Sequence, residues 1–177
     1  MMRLFVALAI SDLVAASLTM IQSGVPGARW QTREQMHLTL RFIGEVGGRE
    51  AAAIDDALSA ISAPALTVQL KSVGEFGGKN PRALWAGVAP NDALLHFQRK
   101  IETAMQRIGL AAEPRKFTPH VTLARLRGTP PGIAMDYLVD HGLYASAPFE
   151  AREFILYESH LGPNGSLYVP QRHYALR

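Results

Sequence analysis

The 177-residue chain contains no cysteine. That excludes disulfides, Cys-based zinc sites and a thiol nucleophile, and it suits a reducing cytoplasm. Charge is also scarce: 19% of residues are charged and the formal net charge is only +3, compatible with an anionic ligand but unable to name one. No apolar run is long enough to span a bilayer. Arg3, the run Leu4 to Ile10 and the triplet Val14-Ala15-Ala16 imitate a secretory signal, but Asp12 interrupts early, and Ser11-Asp12 reads better as a helix cap after a first strand. No stretch rich in Gly, Ser or Pro separates two independent units, and no segment is of low complexity. With 48% apolar residues, a single domain over 1–177 with a sizeable core is expected.

Periodicity then places the elements. Met2 to Ile10 reads as a buried strand, followed by a helix from Ser11 to about Gln22 that stops at Gly24. A loop with Pro26, Gly27 and Trp30 leads to a strand from Met36 to Gly44. Arg49 to Ile61 is helical, and Leu66 to Phe76 returns as a strand that turns at Gly77-Gly78-Lys79-Asn80-Pro81. The order then recurs: a strand from Arg82 to Ala89, a helix from Asn91 to Gly109, a loop with Pro114 and Phe117, and a strand from His120 to Leu126. In the helix, Leu94, Leu95, Ile101, Met105 and Ile108 keep roughly helical spacing. After Pro130-Pro131 comes a short helix through Tyr137 and Leu138 to Gly142. The chain closes with a hairpin, Glu153 to Leu161 and Leu167 to Leu176, turning at Gly162-Pro163-Asn164-Gly165. This repeated order predicts an α+β fold: bilobal, with two pseudo-symmetric lobes, each carrying an antiparallel sheet and helices, around a central cleft.

Two strands open alike, His37-Leu38-Thr39-Leu40 and His120-Val121-Thr122-Leu123, and 83 residues separate the histidines. Side chains alternate across a strand, so each segment turns an imidazole and a hydroxyl to one face and apolar anchors to the other. With six histidines and eight threonines, chance supplies about 0.3 His-x-Thr, and the shared fourth leucine makes a chance pair rarer still. His96, His141, His160 and His173 lack the pattern. One such histidine would be read as a locally satisfied strand residue; the matched pair points to chemistry.

Two imidazoles without acidic or cysteine companions on the same strands make poor zinc ligands, and threonine is the wrong neighbour for a transition metal. Flanking a phosphate they have an evident use. Imidazole titrates near neutrality, so one ring can accept a proton from an attacking water while the other donates one to a leaving oxygen. Threonine hydroxyls can donate to the non-bridging oxygens. No metal or cofactor is required.

The chain resembles the two-histidine (2H) phosphoesterases, and within them the RNA 2′,3′-cyclic phosphodiesterase or 2′-5′ RNA ligase family. The resemblance runs through Arg3-Leu4-Phe5-Val6-Ala7, the block from His37 to Val46, Pro81-Arg82-Ala83-Leu84-Trp85, the block from Phe117 to Arg125, and Tyr168-Val169-Pro170. It implies that His37 is the general acid and His120 the general base, that Thr39 and Thr122 hold the phosphate, and that Arg125, five residues after the second histidine, contacts it. It further implies a 2′-phosphate product, with reverse 2′-5′ ligation as a side activity. Strict alternation would turn Arg125 away from His120, so a bulge or a wrapped side chain is needed.

Other candidates rest on position alone. Arg41 shares the His37 face by alternation and would meet RNA phosphates or remain a solvated strand-end charge. Arg115, Lys116 and Arg127 make the second motif locally basic, and Lys79 sits in the glycine turn. Trp30 and Phe117 precede the two histidine strands, where an aromatic ring would stack on a base or, more in keeping with its type, pack in the core. The expected partner is RNA ending in a 2′,3′-cyclic phosphate, tRNA fragments included, or a nucleotide; neither membrane nor obligate protein partner is expected, and a monomer suffices. Rival readings are a phosphodiesterase for small cyclic nucleotides or 2′,5′-oligoadenylates, and an RNA-end-binding module without catalysis.

Overall fold

The computed structural model describes all residues 1–177. Ten strands and four helices follow the order β1 (Met2–Ala9), α1 (Asp12–Thr19), β2 (Arg29–Trp30), a 3₁₀ turn (Arg33–Gln35), β3 (His37–Val46), α2 (Gly48–Ser59), β4 (Leu66–Val68), β5 (Leu70–Phe76), β6 (Ala83–Val88), α3 (Asp92–Arg107), β7 (His120–Arg125), α4 (Pro131–His141), β8 (Phe149–Ala151), β9 (Glu153–Gly162) and β10 (Gly165–Ala175). The fold is α+β, and the sheets are antiparallel.

The caps read from the sequence start the helices. Ser11 Oγ accepts from Val14 N at 3.3 Å to open α1, and Asn91 Oδ1 accepts from Leu94 N at 2.9 Å to open α3, each satisfying a donor the first turn leaves free. The α3 stripe buries Leu94, Phe97, Ile101 and Met105, while Ile108 stays on the surface. Helix α1 ends at Thr19, three residues before the expected stop.

The expected strand Leu66 to Phe76 is two strands. Beyond Val68 the chain leaves β8, and β5 pairs with β6 instead. Residues 144–146 cause the break: Ser72 N donates to Tyr144 O, Leu70 N to Ser146 Oγ, and Ser72 takes a positive φ of 65°. The short strand β8 carried no sequence signal of its own. The closing hairpin forms as read, with Pro163 and Asn164 at its tip.

The main sheet runs β10-β9-β1-β3-β7-β6-β5, with β2 added alongside β7. Its two halves, each antiparallel, meet at β3 and β7 through one pair, Leu38 opposite Val121. Helices cross the seam: α1 follows β1, but its Ser17 hydroxyl meets Tyr144 Oη, and Ile21 O just beyond it accepts from Tyr137 Oη of α4 at 2.6 Å, α4 itself lying against β5. Helix α3 follows β6 but lies on β3 next to α2. All four helices bury residues in one continuous cluster with Leu4, Val6, Leu38, Leu40, Leu84, Val121 and Leu123. That cluster covers one face of the sheet and leaves the other to the residues between them. No helix is long and apolar enough to cross a membrane.

Candidate active site

The single cross-seam pair determines what meets on the uncovered face. Leu38 and Val121 both point into the core. One step to either side along the antiparallel strands therefore sets His37 opposite Thr122 and Thr39 opposite His120, all four on the other face. The two His-x-Thr segments form a square of alternating imidazoles and hydroxyls, and all four side chains are half-buried.

Both strands then bulge at the same place. Between β1 and β3 the register passes from Ala7 opposite Thr39 to Val6 opposite Arg41, leaving Leu40 without a partner. Between β6 and β7 it passes from Trp85 opposite Thr122 to Leu84 opposite Ala124, leaving Leu123 unpaired. An extra residue in one strand reverses the alternation beyond it. Arg125 consequently rejoins the face of His120, resolving the conflict that strict alternation had posed. The same reversal carries Arg41 the other way. It is 7% exposed, and its Nε donates to Glu102 of α3 at 2.6 Å, Nη1 to Phe42 O and Nη2 to Ala111 O. Arg41 is thus a core anchor, not a phosphate contact, because the bulge turns it inward.

Each imidazole is held in one tautomer. Nδ1–H of His37 donates to Gln35 O at 2.8 Å, and Nδ1–H of His120 donates to Thr118 O at 2.6 Å. A carbonyl only accepts, so Nδ1 carries the proton and Nε2 is the nitrogen available to a ligand. Burial lowers the His37 pKa to about 4, and the positive charges of Arg125 and His120 push the same way against the raising influence of the Gln35 carbonyl. The His120 pKa is lowered by burial and by Arg125, against the Thr118 carbonyl. The Arg125 charge disfavours the charged form of both rings.

Aromatic side chains wall both rings, and sequence reasoning did not assign them. His37 packs on Phe5 (4.8 Å between centroids), edge-on to Tyr168 (4.9 Å) and near Tyr157 (6.1 Å). His120 meets Phe76 (5.0 Å) and Trp85 (5.7 Å). Trp85 lies across Gly74 and Gly87: a Cβ on Gly74 would fall 2.3 Å from the indole, and one on Gly87 only 2.9 Å from Lys71 O. Trp85 and Tyr168 stood within the quoted resemblance, but only strand pairing reveals that they flank the histidines.

The remaining candidates divide. Trp30 packs against Tyr137 (5.9 Å) and the core, and Phe117 also packs on the core, so both rings take part in packing. Arg115 pairs with Glu113 at 3.0 Å, with most of its side chain in solvent. Lys79, Lys116 and Arg127 are exposed. No group of three or more His, Asp or Glu side chains gathers in metal-binding geometry.

Residues 12–163 match the model of the 2′-5′ RNA ligase superfamily. An Archaeoglobus fulgidus protein named RNA 2′,3′-cyclic phosphodiesterase is 30% identical over 175 residues, spanning 97% of this chain and 98% of its own. A Thermotoga maritima protein of the same name is 29% identical, over 94% of this chain and 91% of its own. Among solved structures, Escherichia coli LigT complexed with 3′-AMP superposes with a TM-score of 0.82 at 24% identity, covering 99% of this chain and 98% of that one. The sequence match spans both histidine strands and most of the fold around them, so the chain belongs to the 2′-5′ RNA ligase superfamily.

Proposed function

We propose that the protein hydrolyses RNA ends bearing a 2′,3′-cyclic phosphate to 2′-phosphomonoesters, with the whole chain acting as one domain whose two halves share the cleft. The observation that carries this reading is the Leu38–Val121 register, which puts two imidazoles and two hydroxyls on one face, a set suited to a single small anion. The names of the relatives support the substrate class.

In this reading the cyclic phosphate sits between the rings. His120 Nε2 takes a proton from water as its oxygen attacks phosphorus; the P–O3′ bond breaks, and His37 Nε2 gives its proton to the departing 3′ oxygen. Thr39, Thr122 and Arg125 hold the non-bridging oxygens, where charge accumulates. The anion raises the His37 pKa from its ligand-free value near 4, so substrate itself helps charge the acid. After turnover His37 is neutral and His120 protonated, and exchange with solvent restores the starting state. With a 5′-hydroxyl in place of water, the same ring opening makes a 2′-5′ linkage: His120 Nε2 takes the hydroxyl proton as its oxygen attacks phosphorus, the P–O3′ bond breaks, and His37 Nε2 protonates the 3′ oxygen. The residues supply both acid and base, so no step calls for a metal, and a monomer working in the cytoplasm suffices.

The test is product analysis on a short RNA ending in 2′,3′-cyclic phosphate, with excess chelator present. A 2′-monoester as sole product is expected. A 3′-monoester would reverse the leaving group, and no turnover on RNA alongside rapid hydrolysis of a cyclic mononucleotide would move the substrate to small nucleotides.

A further inference from the structure

Gln35, two residues before the first histidine, makes three connections at once. Its carbonyl accepts the His37 Nδ1 proton at 2.8 Å. Its Oε1 accepts from Thr32 N at 3.0 Å, closing the 3₁₀ turn. Its Nε2 donates to Ser166 O at 2.9 Å, at the start of β10 beside the hairpin tip. Two residues further along that hairpin, Tyr168 stands edge-on to the His37 ring.

The segment carrying Gln35 is tied at its other end to the opposite half of the sheet. Arg29 and Trp30 pair with Arg125 and Ala124 of β7, and Arg29 Nη2 reaches Pro163 O of the same hairpin tip at 3.3 Å. Residues 29–35 therefore form a strap from the Arg125 strand to the hairpin beside His37. Nothing equivalent braces the second ring: Thr118 is exposed and is followed by Pro119, whose fixed φ stiffens the backbone locally.

We propose that Gln35 is a positioning residue that sets the orientation of His37 by anchoring the hairpin to the carbonyl that holds the ring; its effect on catalysis rests on the function proposed above. The close fit at the tip supports the assignment. Gly165 has φ +112°, and a Cβ there would lie 3.0 Å from Gln35 Nε2. The hairpin backbone thus lies directly against the Gln35 amide. Loss of the anchor frees the carbonyl, and His37 loses both its fixed tautomer and a contact that raises its pKa.

Two variants reach the anchor from opposite sides. Gln35→Ala removes the side chain; Gly165→Ala pushes against it from the hairpin. Each should lower kcat about tenfold or more while KM moves little, in the range seen when a partner that orients a functional histidine is lost. Gln35→Glu keeps an acceptor for Thr32 N but cannot donate to Ser166 O, so it should match Gln35→Ala and not the wild type. The ring ¹⁵N signals of His37, read on the full chain by NMR, should change from one Nδ1–H tautomer to a mixture, with a lower pKa. The double variant should be no worse than the more impaired single one. Unchanged His37 signals in Gln35→Ala, wild-type behaviour of Gln35→Glu, or additive losses in the double variant would each overturn the proposal. If Gln35→Ala does not fold, Gln35→Glu and Gly165→Ala decide it by the same readouts. The NMR measurement needs no substrate, so it stands apart from any failure of the proposed RNA chemistry.

Discussion

Leu38 pairs with Val121, and this pair is the ladder's only direct link between strands β3 and β7. Everything proposed for the site depends on it. A slip by one residue would turn one of the two His-x-Thr faces into the core and leave the other outside, and a wider gap would leave each histidine with only its own threonine. Both side chains are fully buried in the cluster shared by all four helices, so the core that stabilises the fold also sets the register of the two half-sites.

The first prediction concerns those half-sites. His37→Ala and His120→Ala should each lower kcat by about 10²–10⁴-fold, the usual worth of one positioned proton transfer. Both rings are half-buried beside the uncovered face, so the variants should keep a wild-type circular dichroism spectrum. A variant that folds and retains most of its activity would remove that histidine from the mechanism.

Arg125 tests the electrostatics. Its charge disfavours the imidazolium of both histidines, and kcat/KM reports groups of the free enzyme. Both limbs of its bell-shaped pH profile should therefore lie below the ordinary imidazole value, placing the optimum on the acid side of pH 6.5. Arg125→Gln removes the repulsion, so both histidine pKa values rise and the optimum moves to higher pH. KM should rise as well, because a cation facing the phosphate is gone. An optimum unmoved by Arg125→Gln would place the guanidinium too far from the rings to matter.

Local pattern made most of the fold legible. The Ser11 and Asn91 caps, the period of α3, the closing hairpin and the repeated order all have short-range causes, and all form. Long-range hydrogen bonds defeated the reading elsewhere: the strand through Gln69 breaks because Tyr144 and Ser146 bond to its backbone, and no local signal announces partners more than seventy residues away. The two histidines and threonines lie within two residues of a strand start, where alternation is dependable. Arg41 and Arg125 lie past the bulges, which pairing geometry creates and composition does not reveal. One arginine was therefore assigned to the wrong face, and the other was left in doubt.

Arg41 gives that correction a measurement. Its guanidinium is buried against Glu102 and satisfies two backbone carbonyls. Removing one partner of a buried pair leaves the other uncompensated. Arg41→Met should lower the unfolding free energy by about 3 kcal/mol, read by urea denaturation, and leave kcat and KM of the folded fraction unchanged. Glu102→Gln should cost less, since its amide oxygen can still accept. Were Arg41→Met to raise KM for RNA at wild-type stability, the residue would belong to the substrate surface after all.

His37 also links the site to acid stability. Its folded-state pKa, about 4, lies below the 6.5 of a free imidazole. The unfolded chain therefore binds a proton between those values that the folded chain refuses. The stability tied to the neutral ring is complete above pH 6.5 and is lost as pH falls towards 4, about 3 kcal/mol in all at 1.36 kcal/mol per unit. His37→Asn cannot titrate there, so its stability should fall less steeply over the same interval, and the two curves should converge or cross on acidification. Denaturant titrations at half-unit steps would show this. Parallel curves from pH 7 to 4 would mean that the ring is charged in the folded protein, and proton donation would then need no help from the bound phosphate.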